Sequence, residues 1–92
     1  REELESLYLA VRKIRSNESS DLSLEQVFEI LKQNHPNDWL LSVEMIELTT
    51  HTNSTQLQQE LIAFLEKVKT NRPEVAHLIN DGLDLIFQKE TV

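Results

Sequence analysis

Three histidines, His35, His51 and His77, have the widest chemical range in this sequence, because imidazole serves as a metal ligand and as an acid or base. No two of them have the i, i+4 spacing that presents two metal ligands on one helix face. Residues 74–77, Glu-Val-Ala-His, match the Glu-x-x-His spacing of di-iron bundles. Such bundles need that spacing on two helices, and only one copy occurs here. We therefore predict no metal site, and a metal-dependent enzyme built on Glu74 and His77 stays as one alternative.

Two acidic pairs, Glu44 with Glu47 and Asp81 with Asp84, are each one helical turn apart. Paired carboxylates can act as acid and base, but a charge run on an exposed helix face is usually only solvated. The sequence contains no cysteine, phosphate-binding loop, nucleophile elbow or dinucleotide fingerprint. We predict no catalytic, cofactor-binding or metal-binding residues on this chain.

Charge and composition exclude several further classes of function. The net charge of −7 disfavours binding to nucleic acid or to an anionic membrane. Arg12, Lys13 and Arg15 form the one basic cluster, and we assign it to the last turn of a helix, where cations meet exposed carbonyls. No apolar run reaches the roughly 20 residues of a membrane span. The absence of cysteine predicts a cytoplasmic protein.

Apolar residues that recur every three or four positions predict five helices in a single domain covering residues 1–92. One glycine and two prolines are too few for the turns of a sandwich or barrel. The fold class is therefore all-α, an antiparallel helical-hairpin array or bundle. The predicted apolar stripes contain Leu4, Leu7, Tyr8, Val11 and Ile14; Leu24, Val27, Phe28, Ile30 and Leu31; Trp39, Leu40, Leu41, Val43, Met45, Ile46 and Leu48; Leu57, Leu61, Phe64, Leu65 and Val68; and Val75, Leu78, Ile79, Leu83 or Leu85, and Ile86.

Capping residues set the predicted helix ends. Ser23 with Gln26 has the spacing of a capping box. The other predicted N-caps are Asn37 or Asp38, Asn53 with Gln56 or else Ser54, and Asn71 followed by Pro73 and Glu74. Residues 16–21 and 49–55 are predicted polar linkers, and the short connection after the second helix predicts that it forms an antiparallel hairpin with the third.

Residues 35–48, which hold the single tryptophan, form the predicted centre of the fold. The apolar face of this helix is broad enough to be buried on more than one side, and we expect Trp39 to lie in the core. Gly82 interrupts the last helix pattern, which predicts either a closely approaching helix or an early helix end. Arg1 starts inside a helical pattern without a cap or an initiator Met, which suggests a fragment of a longer chain, and residues 89–92 are expected to fray.

Three segments resemble the C-terminal helical extension of the long bacterial aromatic amino acid hydroxylases, the phenylalanine 4-hydroxylase-like enzymes. They are LYLAVRKIR (7–15), HPNDWLLSVEMIEL (35–48) and PEVAHLINDGLDLI (73–86). The similarity runs over nearly the whole chain and is most specific at NDWLL and LINDGL, while the loops depart from it.

The resemblance implies an accessory role for this chain, in packing or assembly, inside an enzyme. Those hydroxylases use Fe(II), a tetrahydropterin and O₂, with the iron held by two histidines and a carboxylate of a separate catalytic domain. None of that motif occurs here, so the chain itself would carry no cofactor and no catalysis. Its expected partners are the rest of its own polypeptide or a second copy. The alternative is a free-standing helical domain for protein–protein interaction.

Overall fold

The computed structural model describes residues 2–88 and contains, within that range, five α-helices and no strand. The helices are α1 (Glu2–Arg15), α2 (Leu24–Asn34), α3 (Leu40–Thr52), α4 (Thr55–Asn71) and α5 (Ala76–Gln88), and a 3₁₀ turn, Pro73–Val75, precedes α5. The predicted all-α fold class is confirmed. The expectations for Arg1 and for residues 89–92 lie outside the described residues.

Helix α3 is the centre of a flattened molecule of 35 × 34 × 19 Å. It packs most extensively against α4 and also contacts α1 and α5. Its buried residues lie on more than one side, as predicted: Leu41, Ser42, Met45, Ile46, Leu48 and Thr49. The predicted hairpin of α2 with α3 is wrong, because α2 packs mainly against α1 and α4. A short connection limits the distance between two helix ends but does not fix the angle between the helices.

Trp39 does not lie in the core, contrary to the prediction. It is half-buried at the position before α3, where it packs against the edge of the apolar cluster. The predicted apolar stripe also includes Leu40, but 52% of this residue is exposed. The helix is rotated so that Leu41, Met45, Ile46 and Leu48 of the predicted stripe are buried, while Leu40 faces outward. The error arises because an apolar run this dense fits several helix rotations, and the neighbouring helices select one.

Two predicted caps hold. Ser23 and Gln26 form the reciprocal capping box of α2, in which the Gln26 N–H donates to Ser23 Oγ (3.2 Å) and the Ser23 N–H donates to Gln26 Oε1 (2.9 Å). Asp38 accepts a hydrogen bond from the Leu41 N–H at 3.2 Å. The side chain of Asp38 therefore serves the first turn of α3, although the regular helix begins two residues later.

The predicted linker at residues 49–55 is mostly helix, and only Asn53 and Ser54 separate α3 from α4. Burial of Thr49 overrides the weak helix propensity of this stretch, and its hydroxyl donates to the Ile46 carbonyl at 2.6 Å. Asn53 is not an N-cap, because it adopts the left-handed conformation (φ 59°) that ends α3. Ser54 occupies the N-cap position of α4, but its side chain makes no capping bond.

The last turn before α5 also differs from its prediction. Asn71 is the final residue of α4 rather than a cap, while Pro73 does occupy the first position of the 3₁₀ turn. Lys69 Nζ donates to Asn80 Oδ1 at 2.9 Å and joins α4 to α5. At Gly82 the close-approach alternative is confirmed, because a Cβ built there would stand 3.2 Å from Val43 Cγ1.

Candidate functional site

The three histidines are dispersed among separate surroundings. His35 Nε2 lies 2.9 Å from Glu3 Oε1, and the same oxygen accepts from Asn34 Nδ2 at 3.0 Å. This contact ties the end of α2 to the start of α1. His51 and His77 are exposed on α3 and α5. Among the described residues, no group of three or more His, Cys, Asp or Glu side chains is placed to hold a metal ion.

Glu74 and His77, the residues of the metal-enzyme alternative, do not act as a pair in the structure. Glu74 Oε2 instead accepts from Arg72 Nε at 3.1 Å. The pKa of the Glu74 carboxyl is lowered by a hydrogen bond from its own backbone N–H and then by the Arg72 side chain. The carboxylate thus serves a local turn at the surface.

The two acidic pairs differ in their surroundings. Asp81 and Asp84 are exposed on α5, as expected of solvated charges. Glu44 and Glu47 are half-buried on α3, and Glu47 Oε1 lies 3.7 Å from Arg15 Nη2. That ion pair ties α1 to α3. No catalytic arrangement of two carboxylates follows from either pair.

The basic cluster lies in the last turn of α1, where the sequence placed it. Arg12 and Arg15 are exposed and Lys13 is half-buried, and Arg15 is engaged with Glu47. The position next to the free carbonyls of the helix end accounts for these charges without a ligand.

Tyr8 is a site that the sequence reasoning treated only as a core position. Burial raises the pKa of its phenol, and the negative charges of Asp38 and Glu44 raise it further. The half-buried ring packs against the apolar cluster. Its hydroxyl therefore stays protonated over a wider pH range than an exposed tyrosine.

The hollows lined by the described residues are open to solvent, and their linings bring together no set of reactive groups. One of them, about 630 Å³, lies between the α1–α2 loop and the α3–α4 turn, and its lining includes the polar residues Ser20, Gln26 and Thr52. Another, about 200 Å³, lies beside Phe28 and Phe64, whose rings meet edge to face at 5.9 Å. Two lysines, Lys32 and Lys67, line this hollow, and Lys32 Nζ stands 4.6 Å from the centre of the Phe28 ring.

Four leucines remain substantially exposed in an otherwise closed fold: Leu9 (53%), Leu40 (52%), Leu78 (44%) and Leu85 (65%). Leu78 was predicted in the core stripe of the last helix, and of the alternatives Leu83 and Leu85 it is Leu83 that packs inward. Helix α5 carries more apolar residues than one face can bury. That excess was the available sequence signal for an exposed apolar surface.

Comparison with protein-family models, with curated proteins and with solved structures finds no match to this chain. Within residues 2–88, no helix combines the length and the apolar character needed to cross a bilayer.

Proposed function

We propose that this chain is a non-catalytic accessory module that packs onto, or helps to assemble, a larger enzyme. The observation that carries the proposal is the set of four exposed leucines. Covering such side chains with a partner stabilises the complex, by about 25 cal/mol for each Å² of apolar surface that is removed from water. The hollows are open to solvent and offer less to a small substrate than the exposed leucines offer to a protein.

The identity of the enzyme is proposed from the resemblance to the phenylalanine 4-hydroxylase-like family. All four exposed leucines fall inside the three segments that carry it, residues 7–15, 35–48 and 73–86. If the resemblance reflects a common role, the exposed leucines belong to the segments that this chain shares with such extensions, and they are available to contact the catalytic domain. Under this proposal Fe(II) and tetrahydropterin belong to the separate catalytic domain, and the whole polypeptide works in the cytoplasm.

The proposal is tested by two measurements on the purified 92-residue chain together with the reading frame that encodes it. We expect no phenylalanine hydroxylation when Fe(II) and tetrahydropterin are added, no Fe(II) binding by calorimetry, and a hydroxylase domain encoded upstream of Arg1. Tight Fe(II) binding by the chain would contradict the proposal. A frame that encodes no enzyme would favour the free-standing interaction domain instead.

A further inference from the structure

Three of the exposed leucines flank one helix contact, that of α3 with α5. Gly82 of α5 faces Val43 of α3 there. Leu78 lies one turn before Gly82 and Leu85 one turn after it, and Leu40 lies one turn before Val43. We call the surface formed by Leu40, Leu78 and Leu85 the α3–α5 face.

The spacing of the leucines on α5 suits an elongated apolar occupant. Leu78 and Leu85 are seven residues apart, so they project from nearly the same side of the helix at an axial separation of about 10 Å. Leu40 approaches the same contact from the other helix. Two adjoining helices with apolar side chains along their line of contact offer a surface on which a third helix can pack.

The formally charged side chains of these two helices are all negative, although Lys69 of α4 contacts Asn80 of α5. Helix α3 contributes Glu44 and Glu47, helix α5 contributes Asp81 and Asp84, and neither helix contains a lysine or arginine. Glu47 is engaged by Arg15, and the exposed Asp81 lies between Leu78 and Leu85 along α5. An occupant must therefore combine an apolar row with positive charge beside it.

We propose that the α3–α5 face binds a basic amphipathic helix, one that presents leucine-like side chains two turns apart with lysine or arginine on either side. This inference rests on the proposed function, under which the helix belongs to the catalytic domain that the module accompanies. A second copy of this chain is the poorer occupant, because it would place Asp81 and Asp84 against the same carboxylates. The net charge of −7 adds to that repulsion.

A designed peptide tests the chemistry of the surface without any catalytic domain. The probe is a helical peptide with leucines two turns apart and lysines on the flanking positions, labelled for fluorescence anisotropy. Its control has the same leucines with glutamate in place of each lysine. We expect the 92-residue chain to bind the lysine peptide and not the glutamate peptide, with amide NMR shifts concentrated in α3 and α5.

Matched variants separate this face from general attraction to an acidic protein. Leu78→Ala with Leu85→Ala should weaken binding by about tenfold or more, because both anchors of the apolar row are lost. Leu9→Ala is the control for an exposed leucine elsewhere and should change the Kd by less than about twofold. Since between 44% and 65% of each of these three residues is exposed, circular dichroism should show each variant folded.

The contribution of the acidic residues beside the α3–α5 face is tested with matched variants as well. Asp81→Asn with Asp84→Asn should weaken binding by about threefold and reduce its salt dependence. Asp21→Asn with Glu25→Gln changes the net charge equally but lies away from the face, and it should leave the affinity nearly unaltered.

The inference is overturned if the lysine peptide fails to bind at millimolar concentration, or if the Leu9 variant loses as much affinity as the α5 double variant. A leucine-dependent dimer of the chain would assign the face to a second copy instead. Peptide binding combined with the lack of an upstream hydroxylase domain would contradict the proposed function while leaving the chemistry of the face intact.

Discussion

Gly82 of α5 faces Val43 of α3 so closely that an added Cβ would stand 3.2 Å from Val43 Cγ1. This is tighter than ordinary van der Waals contact, so the missing side chain is what permits the two helices to approach. Glycine lowers helix propensity by roughly 1 kcal/mol relative to alanine. Packing against α3 therefore offsets a local cost in α5, and Leu40, Leu78 and Leu85 each lie within one turn of that contact along their own helices.

Substitution of Gly82 should show how the gain in helix propensity compares with the cost of crowding Val43. We expect Gly82→Ala to change the free energy of unfolding by less than about 1 kcal/mol, because better helix propensity is opposed by contact with Val43. In a Val43→Ala background the same change should stabilise by nearly the full 1 kcal/mol or so, because the contact is relieved. Urea unfolding of the four proteins measures the cycle, and an equal effect of Gly82→Ala in both backgrounds would show that the contact carries no strain.

Ser42→Ala should stabilise the protein. Ser42 is fully buried in α3, and its hydroxyl has no hydrogen-bond partner among the described residues. Removing an unsatisfied hydroxyl with little change of volume should raise the free energy of unfolding by about 1 kcal/mol. Ser6→Ala is the control, since the exposed Ser6 hydroxyl donates to the Glu2 carbonyl, and it should have little effect. A clear loss of stability in Ser42→Ala would mean that the hydroxyl is in fact satisfied.

Ser23→Ala should destabilise the protein by about 1 kcal/mol, because it removes the acceptor for the Gln26 N–H at the start of α2. Ser54→Ala is a matched control at the N-cap of α4, where the serine makes no capping bond and its hydroxyl lies 2.9 Å from that of Thr52. Thermal and urea unfolding should show the larger loss in Ser23→Ala. Equal losses would contradict the assignment of the capping box.

Tyr8 should make folding sensitive to alkaline pH. Because the folded-state pKa is raised above the ordinary value of 10.0, the unfolded chain ionises first, and the contribution to stability is complete below pH 10. It is lost as the pH rises from there through the folded-state pKa. Tyr8→Phe should remove this component while leaving the titration of the lysines.

Absorbance at 295 nm during an alkaline titration measures the Tyr8 ionisation directly, since Tyr8 is the single tyrosine. Asp38→Asn and Glu44→Gln should each move the pKa back toward its ordinary value. A phenol that titrates at or below 10 in the folded protein would contradict the structure around Tyr8.

Features encoded locally were predictable from the sequence. The stripe of α4 repeats strictly at Leu57, Leu61, Phe64, Leu65 and Val68, and all five are buried as expected. The Ser23–Gln26 spacing determines a contact within one helical turn, so no knowledge of the rest of the fold was needed. The prediction that the chain has no metal site was also local, because it depended on the spacing of histidine and glutamate residues along single helices.

Features that depend on a neighbouring helix were not predictable in this way. Thr49 continues α3 because its side chain is buried and its hydroxyl bonds to Ile46, which outweighs its propensity. Trp39 and Leu40 lie outside the core because the packing of α3 on α4 selects one rotation of a helix whose apolar residues are not confined to one side. The exposed leucines of the candidate face were missed for the same reason: periodicity indicates an apolar stripe but not how much of it the fold covers.

The decisive measurement is calorimetric titration of the 92-residue chain into the hydroxylase catalytic domain that we propose lies in the same reading frame. We expect saturable binding that weakens by about tenfold or more in the Leu78→Ala, Leu85→Ala double variant and is retained by Leu9→Ala. No binding, or equal binding by all three proteins, would contradict the proposal.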